Sequence, residues 1–373
     1  MGVIEQSDML LDSGLGHGTR LLLRNKRLLD GPSSAPSLLF VHGATYAASL
    51  VFDYDIDGQS WMDRLARAGF DVWCVDLPGY GGAERPPAMA DAAADHPPLT
   101  TTAEAEAATL RAVRHILESR GVPRLHLIGY SWGTAICGGL AAAHPALVDR
   151  LVLLGALWTG VTGRTVNTTA GGLAAHRDVD AAAAAARWVI NLDPAQIAAV
   201  VPPGRIDAWV ANTLASDGGL APAGELRVPA GVVADIQRFW LNGTPTYDPR
   251  QITAPSLVIM GEWDHETTPA QGWEVFQRLT AAATPPALAS VWATQASIRR
   301  GGTTAAICAG SRLITQRAAA AAASRSRWAA RPPAVVLTVR PVTPVHSAPS
   351  RTKRSTSSGW AAARPPQIAV PQE

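Results

Sequence analysis

The chain has 373 residues, of which 47% are hydrophobic and 17% charged, and its formal net charge at pH 7 is +2. This composition is typical of a globular protein with one large domain or two smaller ones. It argues against a membrane protein, because no apolar stretch reaches the length of about 20 residues that a spanning helix needs. The first residues lack a basic segment followed by an apolar run, so we expect a cytoplasmic protein.

The first part of the chain alternates apolar runs with segments of helical spacing. Apolar runs at residues 20–29 and 37–43 predict two strands joined by a turn, and a helix follows at 61–68. A third strand is predicted at 71–75. Thr101 and Glu104 form a capping box that opens a helix, and Gly121 ends it.

The alternation continues to about residue 283. Strands are predicted at 125–128, 151–154 and 255–260, with helices at 134–143 and around Trp273, Phe276 and Leu279. Residues 159–250 carry no strand pattern, and we interpret them as an inserted helical cap. Uninterrupted apolar strands that alternate with helices indicate an α/β fold with a doubly wound, mostly parallel sheet.

Polar residues follow four of the predicted strands directly: His42, Asp76, Ser131 and Asp264. In a parallel sheet the carboxyl ends of the strands meet at one edge, where ligands bind. We therefore expect these four side chains at one edge of the sheet.

Residues 129–133 read Gly-Tyr-Ser-Trp-Gly and fit the pattern G-x-S-x-G between a predicted strand and a predicted helix. This context is that of a nucleophile elbow, in which a strained turn exposes the serine hydroxyl at the N-terminus of a helix. The alternative is a tight strand-to-helix turn that happens to contain a serine.

These motifs resemble the α/β-hydrolase superfamily, in the branch with a cap, over about residues 20–283. The resemblance rests on His42-Gly43, Asp76-Leu-Pro-Gly-Tyr-Gly81, the serine motif and Gly261-Glu-Trp-Asp264. It implies that Ser131 is a nucleophile and that Asp264 orients a histidine base. It also implies an oxyanion hole formed by the backbone N–H groups of Ala44 and Trp132. We expect structural roles for His42, in the oxyanion loop, and for Asp76, in its turn.

Beyond residue 284 the pattern stops. Residues 285–373 carry 12 Lys and Arg against one acid, and Ala, Arg, Pro, Ser and Thr make up 60 of these 89 residues. We therefore divide the chain into a hydrolase domain, 1–284, and a basic low-complexity tail, 285–373, that is irregular and outside the native fold. A change of reading frame in GC-rich coding DNA would produce such a tail; a natural disordered tail is the alternative.

The end of the strand–helix alternation affects the predicted site. In the α/β-hydrolase superfamily, the catalytic histidine follows the catalytic acid after one more strand. Only His265 and His346 follow Asp264 in this chain. His265 is its immediate neighbour, so His346 is the candidate base. Apart from residues 335–339, no run in the tail resembles a packed strand, and the strand at 255–260 would then border an open sheet edge.

The sequence thus predicts an enzyme, a serine hydrolase that cleaves an ester or a related carbonyl compound through an acyl-enzyme. Other activities on the same residues are those of a cofactor-free haloperoxidase, a C–C hydrolase or an aminopeptidase. A catalytically impaired or truncated homologue without its histidine is the non-enzyme alternative. We expect no cofactor or metal and no nucleic-acid partner, and a small, apolar substrate bound near four cap aromatics: Trp188, Trp209, Phe239 and Trp240. The oligomeric state is left open.

Overall fold

A computed structural model of the chain describes residues 2–56, 58–160, 173–261, 263–282, 287–291 and 335–339. Its centre is a sheet in which nine strands follow the order β1-β2-β4-β3-β5-β6-β9-β10-β11. The strands of this sheet are Ile4–Asp12 (β1), Arg20–Leu28 (β2), Ser37–Val41 (β3), Asp71–Asp76 (β4), Leu125–Tyr130 (β5), Val148–Leu154 (β6), Ser256–Gly261 (β9), Ala287–Val291 (β10) and Val335–Val339 (β11).

The sheet is mostly parallel. The two pairings that involve β2 are antiparallel, and all pairings from β4 through β11 are parallel. Every residue of β3, β4 and β9 is buried, as expected for strands covered on both faces. The predicted α/β fold with a doubly wound, mostly parallel sheet is therefore confirmed.

Helices flank the sheet and connect its strands. The described helices are Ala48–Val51 (α1), Trp61–Arg67 (α2), Thr102–Arg120 (α3), Trp132–Ala143 (α4), Ala181–Ala186 (α5), Pro194–Val200 (α6), Arg205–Ala215 (α7), Gly231–Arg238 (α8) and Pro269–Arg278 (α9). Single 3-10 turns lie at Pro87–Met89, Ala93–Asp95, Pro145–Leu147, Trp240–Asn242 and Pro249–Gln251. None of the described helices is long and apolar enough to cross a bilayer.

The start of α3 shows how closely the local sequence determines a helix boundary. The Thr101 hydroxyl accepts a hydrogen bond from the Glu104 N–H, and the Glu104 carboxylate accepts one from the Thr101 N–H. Gly121, with φ +64°, ends the helix in the left-handed conformation. The predicted capping box and the predicted stop are both found at these positions.

The cap insertion lies between β6 and β9. Its described part contains the four helices α5 to α8, and it also contains an antiparallel pair of strands, His176–Asp180 (β7) and Glu225–Pro229 (β8). The expectation that the insertion has no strands is wrong at these two segments. Only His176 and Val179 of β7 are buried, and the other three residues are charged, so the segment has no apolar run.

The sheet also extends beyond the predicted boundary at residue 284. Strand β10 pairs with β9, and β11 pairs with β10. The expectation that β9 borders an open edge is therefore wrong. The residues between these strands and after β11 lie outside the described ranges, so the predicted exclusion of the tail from the native fold stays a prediction for them.

A half-buried carboxyl group lies between α3 and α4. Glu106 faces Gly139 so closely that a Cβ atom at that glycine would be 2.6 Å from the carboxyl carbon. Burial, together with the nearby negative charge of Asp235, raises the pKa of Glu106 to about 7. The folded chain therefore holds a proton here that the unfolded chain releases at a lower pH.

Replacing Glu106 by glutamine is expected to remove a pH dependence of stability. Because the pKa of Glu106 is higher in the folded state, its neutral form stabilises the fold at low pH, and this contribution is lost as pH rises through about 7. At pH 8, Glu106→Gln should raise the free energy of unfolding by about 1 to 3 kcal/mol, and at pH 4 it should change little. Urea unfolding at both pH values measures this. Glu118→Gln, on the exposed side of the same helix, is the control; equal curves for both variants would contradict the assignment.

Candidate active site

Ser131 lies at the sharp turn between β5 and α4. Its backbone has φ +52° and ψ −119°, a conformation that a residue other than glycine adopts only at a cost. The Ser131 N–H donates to the Leu154 carbonyl oxygen at the end of β6, 2.9 Å away. The turn therefore holds the serine at the carboxyl edge of the sheet, half-buried, in the strained geometry of a nucleophile elbow.

Glycines let three backbone segments meet at this turn. A Cβ atom at Gly129 would lie 2.6 Å from the Gly133 carbonyl carbon, and one at Gly133 would lie 2.6 Å from the His42 carbonyl oxygen. A Cβ atom at Gly43 would lie 2.9 Å from the Ser131 Cβ. The loop after β3 is therefore packed directly against the serine, which only glycine at these positions permits.

The two amides expected to form the oxyanion hole lie on either side of this contact. Trp132 is the first residue of α4, so no carbonyl group within the helix can accept from its N–H. Ala44 follows Gly43 in the loop that touches Ser131. The next residue, Thr45, is buried with φ +82°, a strained conformation for a β-branched side chain. Backbone strain thus occurs on both sides of the same site.

Asp264 lies beyond the end of β9 and is buried. Its Oδ1 accepts hydrogen bonds from the N–H groups of Glu266 and Thr267, both at 2.9 Å, and its Oδ2 accepts from the Thr267 hydroxyl at 2.8 Å. Burial raises the pKa of Asp264 to about 6, although these hydrogen bonds oppose the rise. The carboxylate is therefore oriented by its own loop and is mostly ionised above pH 7.

The end of β6 connects Ser131 with Asp264. Leu154 accepts the hydrogen bond from the Ser131 N–H, and a Cβ atom at the next residue, Gly155, would be 3.6 Å from Asp264 Oδ2. In the sheet, β6 lies between β5 and β9. The structure thus brings the predicted nucleophile and the predicted acid to the same edge, two strands apart.

His42 and Asp76 also lie at this edge, but both are held by neighbouring groups. His42 Nδ1 lies 2.7 Å from the Gly43 carbonyl oxygen, and its Nε2 accepts from the Leu77 N–H at 3.3 Å. Burial lowers the pKa of His42, so the ring is neutral, with its proton on Nδ1. Asp76 accepts hydrogen bonds from Ser49 and from the Gly82 N–H. These contacts indicate that both side chains stabilise the adjoining loops.

The histidine base is the part of the predicted site that the described structure does not supply. In the described ranges, no imidazole forms a hydrogen bond with Ser131 or Asp264. His265, next to the acid, is exposed. The candidate base His346 lies outside the described residues.

The cap contributes aromatic and charged residues near the site. Trp209 is buried, and its ring meets Tyr46 of the oxyanion loop at 4.6 Å and Trp188 at 5.1 Å between centroids. Trp240 is also buried, whereas Phe239 is 36% exposed. Two of the four cap aromatics, Trp188 and Trp209, are thus linked to the oxyanion loop.

A charged contact that the sequence analysis did not identify joins the cap to the acid loop. Arg187, the residue after α5, donates from Nη2 to both carboxylate oxygens of Glu266, each at 2.8 Å. Glu266 is buried and stands two residues after Asp264. The two partners are 79 residues apart, so no local pattern could have indicated the pair. Within the described ranges, no three His, Cys, Asp or Glu side chains lie together in a way that could hold a metal ion.

Comparison with known proteins gives one family. A family model described as alpha/beta hydrolase fold matches residues 36–288. A curated relative from Paraburkholderia phymatum, a 2-hydroxy-6-oxononadienedioate/2-hydroxy-6-oxononatrienedioate hydrolase, is 26% identical over 126 residues. The matched segment covers 34% of this chain and only 38% of that relative.

Two solved structures share the fold over most of their length. A hydrolase from Pseudomonas aeruginosa has a TM-score of 0.56 and 21% identity, and the match covers 81% of this chain and 97% of the hydrolase. The enol-lactonase from Burkholderia xenovorans has a TM-score of 0.54 and 18% identity, and the match covers 80% of this chain and 98% of the lactonase. At these identities the likeness concerns the fold.

Proposed function

Because this chain belongs to the α/β-hydrolase family, we propose that it is a serine hydrolase that cleaves an ester or a related carbonyl compound through an acyl-enzyme. Ser131 is the proposed nucleophile and Asp264 the acid that orients the base. The observation that carries the proposal is the strained backbone of Ser131, with Gly43 packed against its side chain. Such strain at a strand-to-helix turn serves to expose a nucleophile.

In the proposed reaction, the Ser131 hydroxyl gives its proton to a base as its oxygen attacks the carbonyl carbon. The negative charge that develops on the carbonyl oxygen is stabilised by the N–H groups of Ala44 and Trp132. Each such donor contributes about 3 kcal/mol to transition-state stabilisation. The leaving group departs with the proton, and water then hydrolyses the acyl-serine by the same route.

His346 is the proposed base. His42 is excluded because both of its ring nitrogens are engaged by backbone groups. The exposed His265 directly follows Asp264 and is poorly placed along the chain to be oriented by it. If His346 does not reach Ser131, the chain is a catalytically impaired homologue that keeps the scaffold of a hydrolase.

Hydrolysis of a carbon–carbon bond beside a ketone is the second candidate. It is favoured by the curated relative, which is named as a hydrolase of 2-hydroxy-6-oxo acids. Both candidates use Ser131 and the same oxyanion hole. The buried Trp209, packed on Tyr46, supports a substrate with an apolar portion in either case. Parallel assays with 4-nitrophenyl esters and a 2-hydroxy-6-oxo-dienoate distinguish them.

Labelling of the full chain by a fluorophosphonate probe tests the proposed function. We expect covalent labelling at Ser131, identified by mass spectrometry of the peptide that contains it. His346→Ala should slow labelling at least a hundredfold, because a positioned general base contributes about 10² to 10⁴ in rate. His115→Ala, on α3, is the matched control and should label normally.

The labelling result distinguishes an active hydrolase from an impaired homologue. A folded chain that is not labelled overturns the hydrolase proposal in favour of the impaired homologue. Equal labelling of the wild type and His346→Ala would mean that another group removes the serine proton.

A further inference from the structure

The indole ring of Trp132 is bound to the start of another helix. Trp132 is fully buried, and its Nε1–H donates a hydrogen bond to the Thr102 hydroxyl oxygen, 2.9 Å away. Thr102 is the first residue of α3 and is also buried. A buried indole N–H needs an acceptor, and here the acceptor comes from a different helix. The side chain of Trp132, whose backbone N–H we assign to the oxyanion hole, is therefore fixed by Thr102.

The N-terminus of α4 has no local cap. Helices α2, α3, α6 and α9 each begin with a capping box, in which the side chain before the helix accepts from a backbone N–H of the first turn. The residue at this position of α4 is Ser131, and its hydroxyl makes no such bond. Capping would engage the oxygen that attacks the substrate in the proposed reaction. The first turn of α4 therefore depends on contacts from elsewhere in the fold, and the bond to Thr102 is one of them.

An acid of the cap holds Thr102 in turn. Asp235, on α8, is buried, and its Oδ2 accepts a hydrogen bond from the Thr102 N–H at 2.6 Å. Burial raises the pKa of Asp235, and its hydrogen bonds with Thr102 oppose the rise. The two residues are 133 positions apart in the sequence, so their contact depends on where the cap lies. Thr102 thus connects a carboxylate of the cap with the indole of Trp132.

Close backbone packing keeps α8 beside the start of α3. Gly231, one helical turn before Asp235, donates from its N–H to the Leu99 carbonyl oxygen at 2.8 Å. A Cβ atom at Gly231 would overlap that oxygen and the backbone of Thr100. Thr100 is buried with φ +56°, a strained conformation for a β-branched residue. The backbone strain found around the elbow therefore recurs where the cap meets α3.

The cap also contacts the other half of the oxyanion hole. Arg177, on β7, donates from Nη2 to the Thr45 hydroxyl. Thr45 directly follows Ala44, the residue that supplies the second N–H of the proposed hole. Contacts from the cap therefore reach both halves of the hole, one through Thr45 and the other through Thr102.

We propose that Thr102 and Asp235 are positioning residues, through which the cap sets the alignment of the Trp132 N–H in the oxyanion hole. The proposal rests on the proposed function, because it assigns a role in that hole. Thr102 acts through the ring of Trp132, and Asp235 acts through Thr102. A donor is effective in such a site only when it is held within about 0.5 Å of its working position. Loss of either contact should therefore weaken stabilisation of the transition state and leave ground-state binding of the substrate unchanged.

Steady-state kinetics of the full chain with 4-nitrophenyl acetate test this role. Thr102→Val removes the hydroxyl group and keeps the shape of the side chain. We expect kcat to fall about tenfold to a hundredfold with KM unchanged, because a misaligned donor costs less than the loss of about 10²- to 10³-fold that follows its removal. Thr102→Ser keeps the hydroxyl group and should retain most of the wild-type kcat.

Thr109→Val is the matched control. Thr109 is buried on the same helix, and in the described part of the chain its hydroxyl oxygen has no hydrogen-bond partner. Its replacement should leave kcat and KM unchanged. A purely structural role of Thr102 would lower the stability of Thr102→Val without changing kcat per molecule of folded protein, and that result overturns the proposal.

Asp235→Ala tests the connection to the cap and provides a second variant if Thr102→Val does not fold. It leaves the Thr102 N–H without its acceptor, so kcat should fall about threefold to tenfold with KM unchanged. Asp207→Ala, which removes an exposed acid from α7 of the cap, should change neither constant. An active wild type whose kcat is unaffected by Thr102→Val and by Asp235→Ala overturns the positioning role alone.

Nuclear magnetic resonance separates this proposal from the proposed function. In the full chain labelled with nitrogen-15 at tryptophan, the backbone N–H signal of Trp132 is assigned with Trp132→Phe. It should move in Thr102→Val and Asp235→Ala and stay in place in Thr109→Val. A signal that is the same in all three variants overturns the positioning role, whatever the activity. If the wild type neither hydrolyses the ester nor reacts with the fluorophosphonate, only the hydrolase proposal is overturned, and a signal that moves as expected still supports the positioning of Trp132.

Discussion

Replacing Ser131 by alanine is expected to abolish the ester hydrolysis that we propose for this chain. The rate with 4-nitrophenyl acetate should fall by about 10³-fold or more, because the acyl-enzyme cannot form without the hydroxyl group. The change removes a single oxygen atom from a half-buried residue, so the fold should be unaffected. A continuous absorbance assay measures the rate, and circular dichroism checks the fold.

The control for this prediction is Ser119→Ala. Ser119 is exposed on α3, where its hydroxyl donates to the Ile116 carbonyl oxygen, and its replacement should leave the rate unchanged. If Ser131→Ala and Ser119→Ala hydrolyse the ester at equal rates, the nucleophile is not at the elbow. The assignment of Ala44 and Trp132 to an oxyanion hole would then be lost as well.

Replacing Gly133 by alanine is expected to cause a large loss of stability. The new Cβ would overlap the Val41 carbonyl oxygen and lie 2.6 Å from the His42 carbonyl oxygen. Both obstacles are backbone atoms at the end of β3, so neither can rotate away. We expect a loss of about 4 kcal/mol or more in the free energy of unfolding, measured by urea titration.

Gly16→Ala is the matched control for the steric argument. No atom lies within 4 Å of a Cβ built at Gly16, and the residue is exposed with an ordinary backbone conformation. Its replacement should change the free energy of unfolding by less than about 0.5 kcal/mol, as is usual for surface sites. If Gly133→Ala lowered the free energy of unfolding as little as Gly16→Ala, the loop after β3 would be able to move away from the elbow.

The central strands could be predicted from the sequence because burial on both faces requires an unbroken apolar run. Strands β3, β4, β5, β6 and β9 all have such runs. Strands without this requirement were missed. β1 pairs with β2 over nine residues but is largely exposed, so its sequence is mostly polar. β7 and β8 form a small sheet of their own and carry charges on their outer positions.

The candidate site also contains residues that the sequence could predict and contacts that it could not. Ser131 and its glycines could be found because the turn needs small residues at fixed spacing. Asp264 follows a recognisable strand. In contrast, Arg177 and Thr45 are 132 residues apart, and their contact depends on how the cap is placed over the sheet. The left-handed backbone of Thr45 could not be predicted from the local sequence, because threonine rarely adopts that conformation.

The ion pair between Arg187 and Glu266 links the position of the cap to the ionisation of the acid. The negative charge of Glu266 acts on Asp264 and contributes to the rise in its pKa. With Arg187 in place, a cation matches the charge of Glu266. A residue of the cap therefore limits the electrostatic effect of Glu266 on the acid two residues before it. The electrostatic environment of Asp264 thus depends on a contact made 79 residues away along the chain.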